Sequence, residues 1–592
     1  MDDFILKVSF NSLSSKNDSP LRLYSENNID KDNINSYKDD VVLLKHRGPN
    51  KNLCEKSLND EKYFAYTSVF SEDMPALRKK LNASIDCKKT DSELMMELYF
   101  KFGKDCFDTL KNGFVFILVD CLEKKVLAFR DHIGIKNICY YENDGSIYLA
   151  SSFKNIYALD NLDFNLNLKK IKNFLEVKDH SSTDTFISEI KKVPPSFFLE
   201  FHKSRVHTYR YLKYSLKRND RSPKEQIAGL TKLLKRSILI DRANTHSKIG
   251  FLMSGGIDSS TVISFFKSFK NSDHRIFSFS AQYKSLDTKI LHLIDESEFQ
   301  DEINKSNDIN DVAFDGENES TLSKLDFYLE IIGQPFFFPN LYLPNKAFKL
   351  ASDKGIALMM NGNDGDSVIS HGYEYFLELF SSLRWVKLFQ QINSTAKINN
   401  QSRRFIFKRL IYDNLSLNNL FNSSSQKKHL EVMSSSNHSK AIEIQSLLAS
   451  YYGIEERYPF YNKELIEYCL NTSPSLKNKH GHSRYILKEA IKNVVPEKIR
   501  NRTTKANLGH ALCLSFLQKD YELINEQFSN PNPLIKNIIN FNDLNKSWDD
   551  LKKSPRKYAT RSSVPSKIFS FVVLNRWLGN EKKNMEKLEK NT

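Results

Sequence analysis

Along the first 210 residues, apolar positions come in short runs broken by turn residues. The stretches "GFVFILVD" (113–120), "KVLAFRD", "ICYYEND", "SIYLASS" and "SFFLEFHKSRVHTYRY" are rich in Val, Ile, Phe and Tyr, with Gly, Asn and Asp between them. That pattern predicts antiparallel sheet with hairpins. One segment differs: "DSELMMELYFKFG" carries Leu94, Met95, Leu98 and Phe102 near helical spacing and predicts an amphipathic helix. Near residue 215 the texture changes. "SPKEQIAGLTKLLKRSILI" opens with Ser222 as N-cap, Pro223 at the first helical position and Glu225 three after the cap. A strand "KIGFLM", a helix "SSTVISFFKSF", a strand "RIFSFSAQY" and a strand "GIALMMNG" follow. Apolar strands alternating with helices predict a parallel sheet with right-handed crossovers. Beyond residue 380 the pattern is mainly helical, and a Ser/Asn-rich tract at 422–440 predicts a mobile insert.

Length and composition narrow this picture. A chain of 592 residues exceeds one core, so several domains are expected. No apolar run reaches the length of a membrane span, and the start "MDDFILKVSFN" is acidic where a signal peptide would be basic. Seven scattered cysteines without a CxxC pair fit a reducing compartment, and a cytoplasmic protein with no membrane partner is expected. The net charge of +15 raises the question of nucleic acid. Lys and Asn are spread along the whole chain, however, and no arginine-rich stripe interleaved with aromatics stands out, so no nucleic-acid partner is expected.

The stretch "IGFLMSGGIDSSTVISFF" (249–266) carries the chemistry. Two adjacent glycines, in a chain with 19, lie between a strand and a helix. Glycines permit a tight turn that a ligand can approach closely, and the helix behind offers unpaired N–H groups and its positive dipole end. Ser254, Ser259 and Ser260 can add hydroxyls, and Asp258 can hold Mg²⁺ against phosphates. A plain βα turn accounts for two glycines but not for three serines and an aspartate beside them.

"SGGIDSS" resembles the pyrophosphate loop of adenylating PP-loop ATPases, in the form found in glutamine-dependent asparagine synthetases and their relatives. "HRGPN" (46–50) resembles the Arg-Gly-Pro motif of that family's glutaminase-type domain, and "RDHIGIKNICYY" with "LASSFKNIYAL" its sheet core. "IEERYPFYN" (454–462) is similar to the family's Glu-x-Arg-x-Pro-Phe segment, and "RYILKEAIKNVVPEKIRNRTTKANLG" (484–509) to the stretch that ends in its catalytic lysine. The resemblance implies an Ntn-hydrolase-like, glutaminase-type antiparallel sandwich over residues 1–212. A PP-loop ATPase domain with parallel sheet and helices, carrying a polar insert near 393–440, would follow over 213–592. It implies ATP and Mg²⁺ as cofactors and adenylation of a carboxylate with release of pyrophosphate. Carried over residue by residue, Ser254, Gly255, Gly256, Asp258, Ser259 and Ser260 would cradle the pyrophosphate, with Gly362 a further cofactor-binding residue. Asp258 and Asp366 would hold Mg²⁺, and Ser278 to Ser280 would line the adenine pocket. Lys505 would neutralise charge on the phosphates and acyl oxygen, and Glu455 would position or deprotonate the attacking amine. Asp295 in "DESEFQDEI" is a further nucleotide contact by the same resemblance.

Three departures from the family pattern alter the expectation. The glutaminase half needs a cysteine directly after the initiator methionine, whose own α-amine serves as base; this chain begins Met1-Asp2-Asp3, and no cysteine precedes Cys54. The Asn-Gly-Glu segment that would grip glutamine is also missing, with "AYTSVFSED" near its place, so a folded but inactive glutaminase scaffold is expected. The loop Ser-Gly-Glu-Gly-x-Asp-Glu reads Asn361-Gly362-Asn363-Asp364-Gly365-Asp366-Ser367, which exchanges a carboxylate for the amide of Asn363. The Asp expected after Pro-Phe-Leu is Asn462. His371 is open to two readings, a site residue beside the Mg²⁺ loop or a histidine packed on Tyr373.

Function therefore reads as an ATP-dependent amide-forming ligase joining a small-molecule or peptide carboxylate to an amine or ammonia. The "DGDSVISHG" and "RTTKANLG" versions resemble the asparagine-synthetase-like cyclases of lasso peptides, which makes such a cyclase, with a precursor peptide as partner, the alternative. A tRNA-modifying PP-loop enzyme is the reading the basic charge suggests; the absence of a cysteine pair counts against it. A non-catalytic scaffold would have no need of the loop, Asp366 and Lys505 together.

Overall fold

The computed structural model describes residues 3–10, 34–38, 40–47, 53–58, 61–69, 73–81, 89–159, 162, 164–239, 247–268, 274–283, 291, 293–307, 309–415, 424–502, 506–559 and 562–591. The short apolar runs of the first half become two six-stranded antiparallel sheets. In spatial order the first is Lys191–Lys192, Cys139–Asn143, Ser146–Ala150, Asp3–Ser9, Val42–Arg47 and Ile34–Lys38. The second is Arg205–Arg210, Phe197–His202, Lys125–Arg130, Phe114–Asp120, Glu61–Val69 and Leu53–Leu58.

Side chains alternate across a strand, so Phe4, Leu6 and Val8 of the first sheet share a core with Val115, Ile117 and Val119 of the second. Phe114, Phe116 and Leu118 face the other way and pack with Leu94, Met95 and Leu98 of the helix Asp91–Phe102. Burial on both faces is why this strand is apolar from Phe114 to Val119. On the outer face of the first sheet, Ile5, Cys139 and Ala150 join a core that continues into the second half through Tyr328, Phe348 and Phe569. The two halves are thus packed against one another by shared apolar surface.

The second half opens with the helix Pro223–Ile238, whose capping box is formed: Glu225 N–H donates to the Ser222 hydroxyl (3.4 Å) and Ser222 N–H to the Glu225 carboxylate (2.8 Å). Its five-stranded sheet is wholly parallel, in the order Asn310–Asp315, Arg275–Gln282, Lys248–Leu252, Leu358–Met360, Glu455–Arg457. The chain lays Lys248–Leu252 in the centre, builds two strands to one side and then returns to build two on the other. The reversal falls between Lys248–Leu252 and Leu358–Met360, and open α/β sheets bind ligands just beyond the strand C-termini at such a point.

One expectation is corrected. The Ser/Asn-rich tract is helical where it is described, as Ser425–Met433 and Ser436–Tyr451, with Ser424 and Ser435 at the two N-cap positions. Ser425 donates its N–H and its hydroxyl to Glu378 (2.9 and 2.6 Å), which fixes the start of the first helix. The serines that read as a mobile tract are helix starts and packed contacts. Residues 416–423 lie outside the described set. Among the described residues no helix is long and apolar enough to cross a membrane.

Candidate active site

Strand Lys248–Leu252 ends in Ser254–Gly255–Gly256, and the helix Ile257–Lys267 starts at once, with Gly256 at its N-cap position. Gly255 has φ +78°, and a Cβ there would stand 3.1 Å from the Glu296 carbonyl and 3.2 Å from Phe299 Cβ. Both conformation and space require glycine. The serines close the turn. Gly256 N–H donates to Ser254 Oγ (3.2 Å), the Ser254 and Ser259 hydroxyls lie 3.1 Å apart, and Ser259 Oγ donates to the Gly256 carbonyl (3.2 Å). The first helical N–H groups, those of Ile257, Asp258 and Ser259, have no partner within the helix.

The loop 361–366, which follows strand Leu358–Met360, lies directly on that helix start. A Cβ on Gly362 would come within 2.5 Å of the Ser259 nitrogen, and one on Gly365 within 2.7 Å of Asp258 Oδ1. Gly362 and Gly365 are therefore what bring the Asp366 loop against Asp258. Arg484 grips Asp258 from the other side, its Nη1 at 2.8 and 2.7 Å from the two carboxylate oxygens. Asp366 is partly exposed, accepts the Ser367 N–H (3.1 Å) and has His371 Nε2 3.9 Å away. Two hard carboxylate donors on facing segments suit Mg²⁺, which usually takes one or two carboxylates together with substrate phosphates.

The segment carrying Lys505 is anchored beside the turn at both of its described ends. Arg502 Nη2 pairs with Glu296 (2.6 Å), its guanidinium lies 3.9 Å from the centre of the Phe299 ring, and Nη1 donates to the Gly255 carbonyl (3.4 Å). Ala506 N–H also donates to Glu296 (3.3 Å). Lys505 itself, like Gly48, Pro49 and Asn50 of the Arg-Gly-Pro stretch, lies outside the described residues.

Other expected residues fall less directly on the turn. Glu455 is partly exposed and paired with Arg457 Nη2 (2.9 Å). Asp295 accepts N–H groups from Tyr283 (3.2 Å) and Ser297 (3.4 Å), and so organises the backbone beneath the site. Asn462 caps the helix Lys463–Asn471, accepting from the N–H groups of Glu464 and Leu465, a structural duty that an amide oxygen performs. His371 stacks on Tyr373 (5.3 Å between centres, 7° between planes), and its Nε2 lies 3.9 Å from Asp366.

Two expectations need correction. The hydroxyls of Ser278 and Ser280 are fully buried and both donate to Asp311 (3.1 Å each), so they brace the strand pair and do not line a pocket. Ser260 is 0% exposed, its N–H donates to the Gly256 carbonyl (3.1 Å) and its hydroxyl is buried without a partner. Its hydroxyl, though unpaired, is closed off from the surface of the turn.

The structure also brings in residues that the sequence did not single out. Glu456, the neighbour of Glu455, points into the interior and accepts from Asn361 Nδ2 (2.9 Å), Gln445 Nε2 (2.6 Å) and the Tyr458 hydroxyl (2.7 Å). Burial pushes its carboxyl up to about 7, against the pull of those three donors. Asn363 Nδ2 donates to Gln445 Oε1 (3.1 Å), which a carboxylate at that position could not do. Asp364, left-handed at φ 55°, accepts from the Tyr461 hydroxyl and from His438 Nδ1 (3.0 Å), while His438 Nε2 bonds the Val432 carbonyl (2.9 Å). Burial opposes charge on His438, but the bond and charge of Asp364 outweigh it and raise the imidazole above its ordinary value. His429 Nε2 meets the Ser367 carbonyl (2.8 Å). The supposed mobile tract thus braces both ends of the loop. Its signal in the sequence was two histidines among serines, which is too weak to find alone.

The first half buttresses the same region. His132 Nε2 bonds the Tyr461 carbonyl (2.7 Å), and Lys192 pairs with Glu443 (2.6 Å) on the helix that carries His438. Among the described residues no group of three or more metal-type side chains forms a closed metal site.

An antiparallel amidotransferase-type sandwich, followed by a parallel sheet with a glycine turn at its switch point, defines an α/β protein with a PP-loop ATPase-like second domain. The chain matches the asparagine synthase family model over residues 229–579 and the glutamine amidotransferase domain model over residues 73–212, and it belongs to the asparagine synthase family. It is 22% identical to asparagine synthetase (glutamine-hydrolyzing) 1 of Bacillus subtilis over 498 residues, 75% of this chain and 76% of that one. A putative asparagine synthetase (glutamine-hydrolyzing) 2 of Methanocaldococcus jannaschii is 23% identical over 50% of this chain and 56% of its own length. The amidase chyE of Penicillium rubens is 27% identical over 29% of this chain and 26% of its own. A solved glutamine phosphoribosylpyrophosphate amidotransferase of B. subtilis covers 40% of this chain and 62% of its own at 10% identity and a TM-score of 0.23, too low to carry an argument.

Proposed function

We propose that this protein is an ATP-dependent amide-forming ligase that adenylates a carboxylate, releases pyrophosphate and passes the acyl group to an amine or ammonia. The observation that carries the reading is the seating of the Asp366 loop on the Gly255–Gly256 turn at the switch point of the sheet. In this mechanism Ser254, Gly255, Gly256 and the N–H groups of Ile257, Asp258 and Ser259 receive the diphosphate end of ATP. Asp258 and Asp366 hold Mg²⁺, which supplies positive charge to the phosphate oxygens when bound. Arg484 Nη1, within hydrogen-bonding distance of both Asp258 oxygens, fixes the direction of that carboxylate. Lys505 neutralises negative charge that develops as the diphosphate departs, and Glu455 positions the incoming amine.

The first half serves, in this reading, as a scaffold without glutaminase activity. Burial pushes the thiols of Cys54 up to about 11 and of Cys106 and Cys139 up to about 12, which disfavours the thiolate a nucleophile needs. The amine then comes from solution or from the substrate itself. Asn363, donating to Gln445, favours the second source: a neutral amide at that position suits an amine brought in by a peptide, as in the cyclase alternative. Exchange of radiolabelled pyrophosphate into ATP, driven by candidate carboxylates, tests the reading. Exchange that depends on a carboxylate and Mg²⁺ supports it, and glutamine hydrolysis without exchange overturns it.

A further inference from the structure

The segment from Leu383 to Tyr412 holds seven Lys and Arg and no Asp or Glu, against a formal charge of +15 for the whole chain. It folds as two helices, Trp385–Ile398 and Arg403–Leu410, which already bury one face each: Leu388, Ile392 and Ala396 on the first, Ile406 and Leu410 on the second, packed with Phe376 and Leu379. A second apolar face remains outside. Val386 is 73% exposed, Leu383 69%, Tyr412 65% and Phe389 64%. Trp385, Val386 and Phe389 fall on one strip of their helix by spacing. Trp385 and Phe407 both border Phe380 (5.2 and 6.4 Å between ring centres), which joins the two helices into a single patch. Arg384, Lys387, Arg403, Arg404 and Lys408 are exposed on the same two helices. No arginine-rich stripe interleaved with aromatics stands out along the chain; folding brings mixed Lys and Arg beside exposed apolar residues on this face.

We propose that this face docks the protein on an anionic lipid surface. Leu383, Val386 and Phe389 enter the boundary between headgroups and acyl chains, and the surrounding Lys and Arg pair with lipid phosphates. The two most exposed apolar residues of the patch, Val386 and Leu383, are aliphatic, which suits an acyl-chain boundary better than a nucleic acid, whose bases stack on rings. Charge decides against an electrically neutral partner. The patch also adjoins the candidate site: Arg409 lies over Tyr373 (5.3 Å), which stacks on His371 beside Asp366. Docking would set the site close to the lipid surface.

Co-sedimentation of the full chain tests this, with vesicles of phosphatidylcholine alone and of phosphatidylcholine mixed with phosphatidylglycerol. At least about tenfold tighter binding to the anionic vesicles is expected, weakened by salt. Val386→Asp with Phe389→Asp should cut that binding about tenfold or more while circular dichroism and pyrophosphate exchange stay as in the wild type. Arg404→Gln with Lys408→Gln, both on the outer surface, should cut it without touching the apolar strip. Equal binding to the two vesicle types, no binding, or undiminished binding by both variants overturns the proposal. So does a wild-type dimer or an RNA complex that the variants dissolve while vesicles remain unbound.

Discussion

The two halves of this chain handle buried polarity in opposite ways. In the first, Asp131 is fully buried and accepts four backbone N–H groups, from Ile133, Gly134, Ile135 and Lys136. Arg130 beside it donates to the carbonyls of Gly134, Lys136 and Val193. These charges are consumed locally, by the turn they shape. In the second half, Asp258 and Asp364 stand just beyond strand ends and are held by groups from distant segments, Arg484 on the first and Tyr461 with His438 on the second, while Asp366 follows on the same loop as Asp364. A charge whose partners are all backbone is a structural part. Carboxylates gathered at a switch point, with their side chains aimed by others, are placed for a ligand.

Substitutions can break this comparison in order of expected effect. Asp258→Ala should lower pyrophosphate exchange about a thousandfold while the folded protein survives, because it removes charge only from the proposed phosphate site; melting curves and exchange rates check both halves of that statement. Asp131→Ala should do the reverse. It strands four buried N–H groups and should destabilise the fold by at least about 4 kcal/mol, with exchange per folded molecule unchanged, measured by denaturant unfolding. Glu456 sharpens the contrast through pH. The unfolded chain releases that proton near 4.5 and the folded chain near 7, so between those values the folded state holds more protons and stability falls as pH rises. The loss is about 3 kcal/mol by pH 8, and Glu456→Gln should flatten it. Asn363→Asp should cost about 2 kcal/mol, since Gln445 must turn its amide toward the new carboxylate and its oxygen toward Glu456. Cys54→Ser should change least, leaving exchange intact and no glutamate released from glutamine by either form.

What was legible in the sequence follows from how local each feature is. The turn was readable because its glycines, serines and aspartate sit within seven residues, and the capping box at Ser222 and Glu225 because both ends lie in one helical turn. Strand Phe114–Asp120 announced itself by burial on both faces. Glu456 did not, because its partners Asn361 and Gln445 lie 95 and 11 residues away and only the fold unites them. Asp364, His438 and Tyr461 were missed for the same reason, with separations of 74 and 97 residues. The tract at 422–440 misled because serine serves both at helix N-caps and in flexible segments, and composition cannot tell those uses apart.

The proposed chemistry requires ATP phosphates to meet the turn at residues 255–259. A crystal structure of the full chain with Mg²⁺ and a non-hydrolysable ATP analogue tests that most directly. The prediction is phosphate oxygens within hydrogen-bonding distance of the Ile257, Asp258 and Ser259 amides, with the ion on Asp258 and Asp366. Phosphates bound elsewhere, with Arg484 still on Asp258, would contradict it.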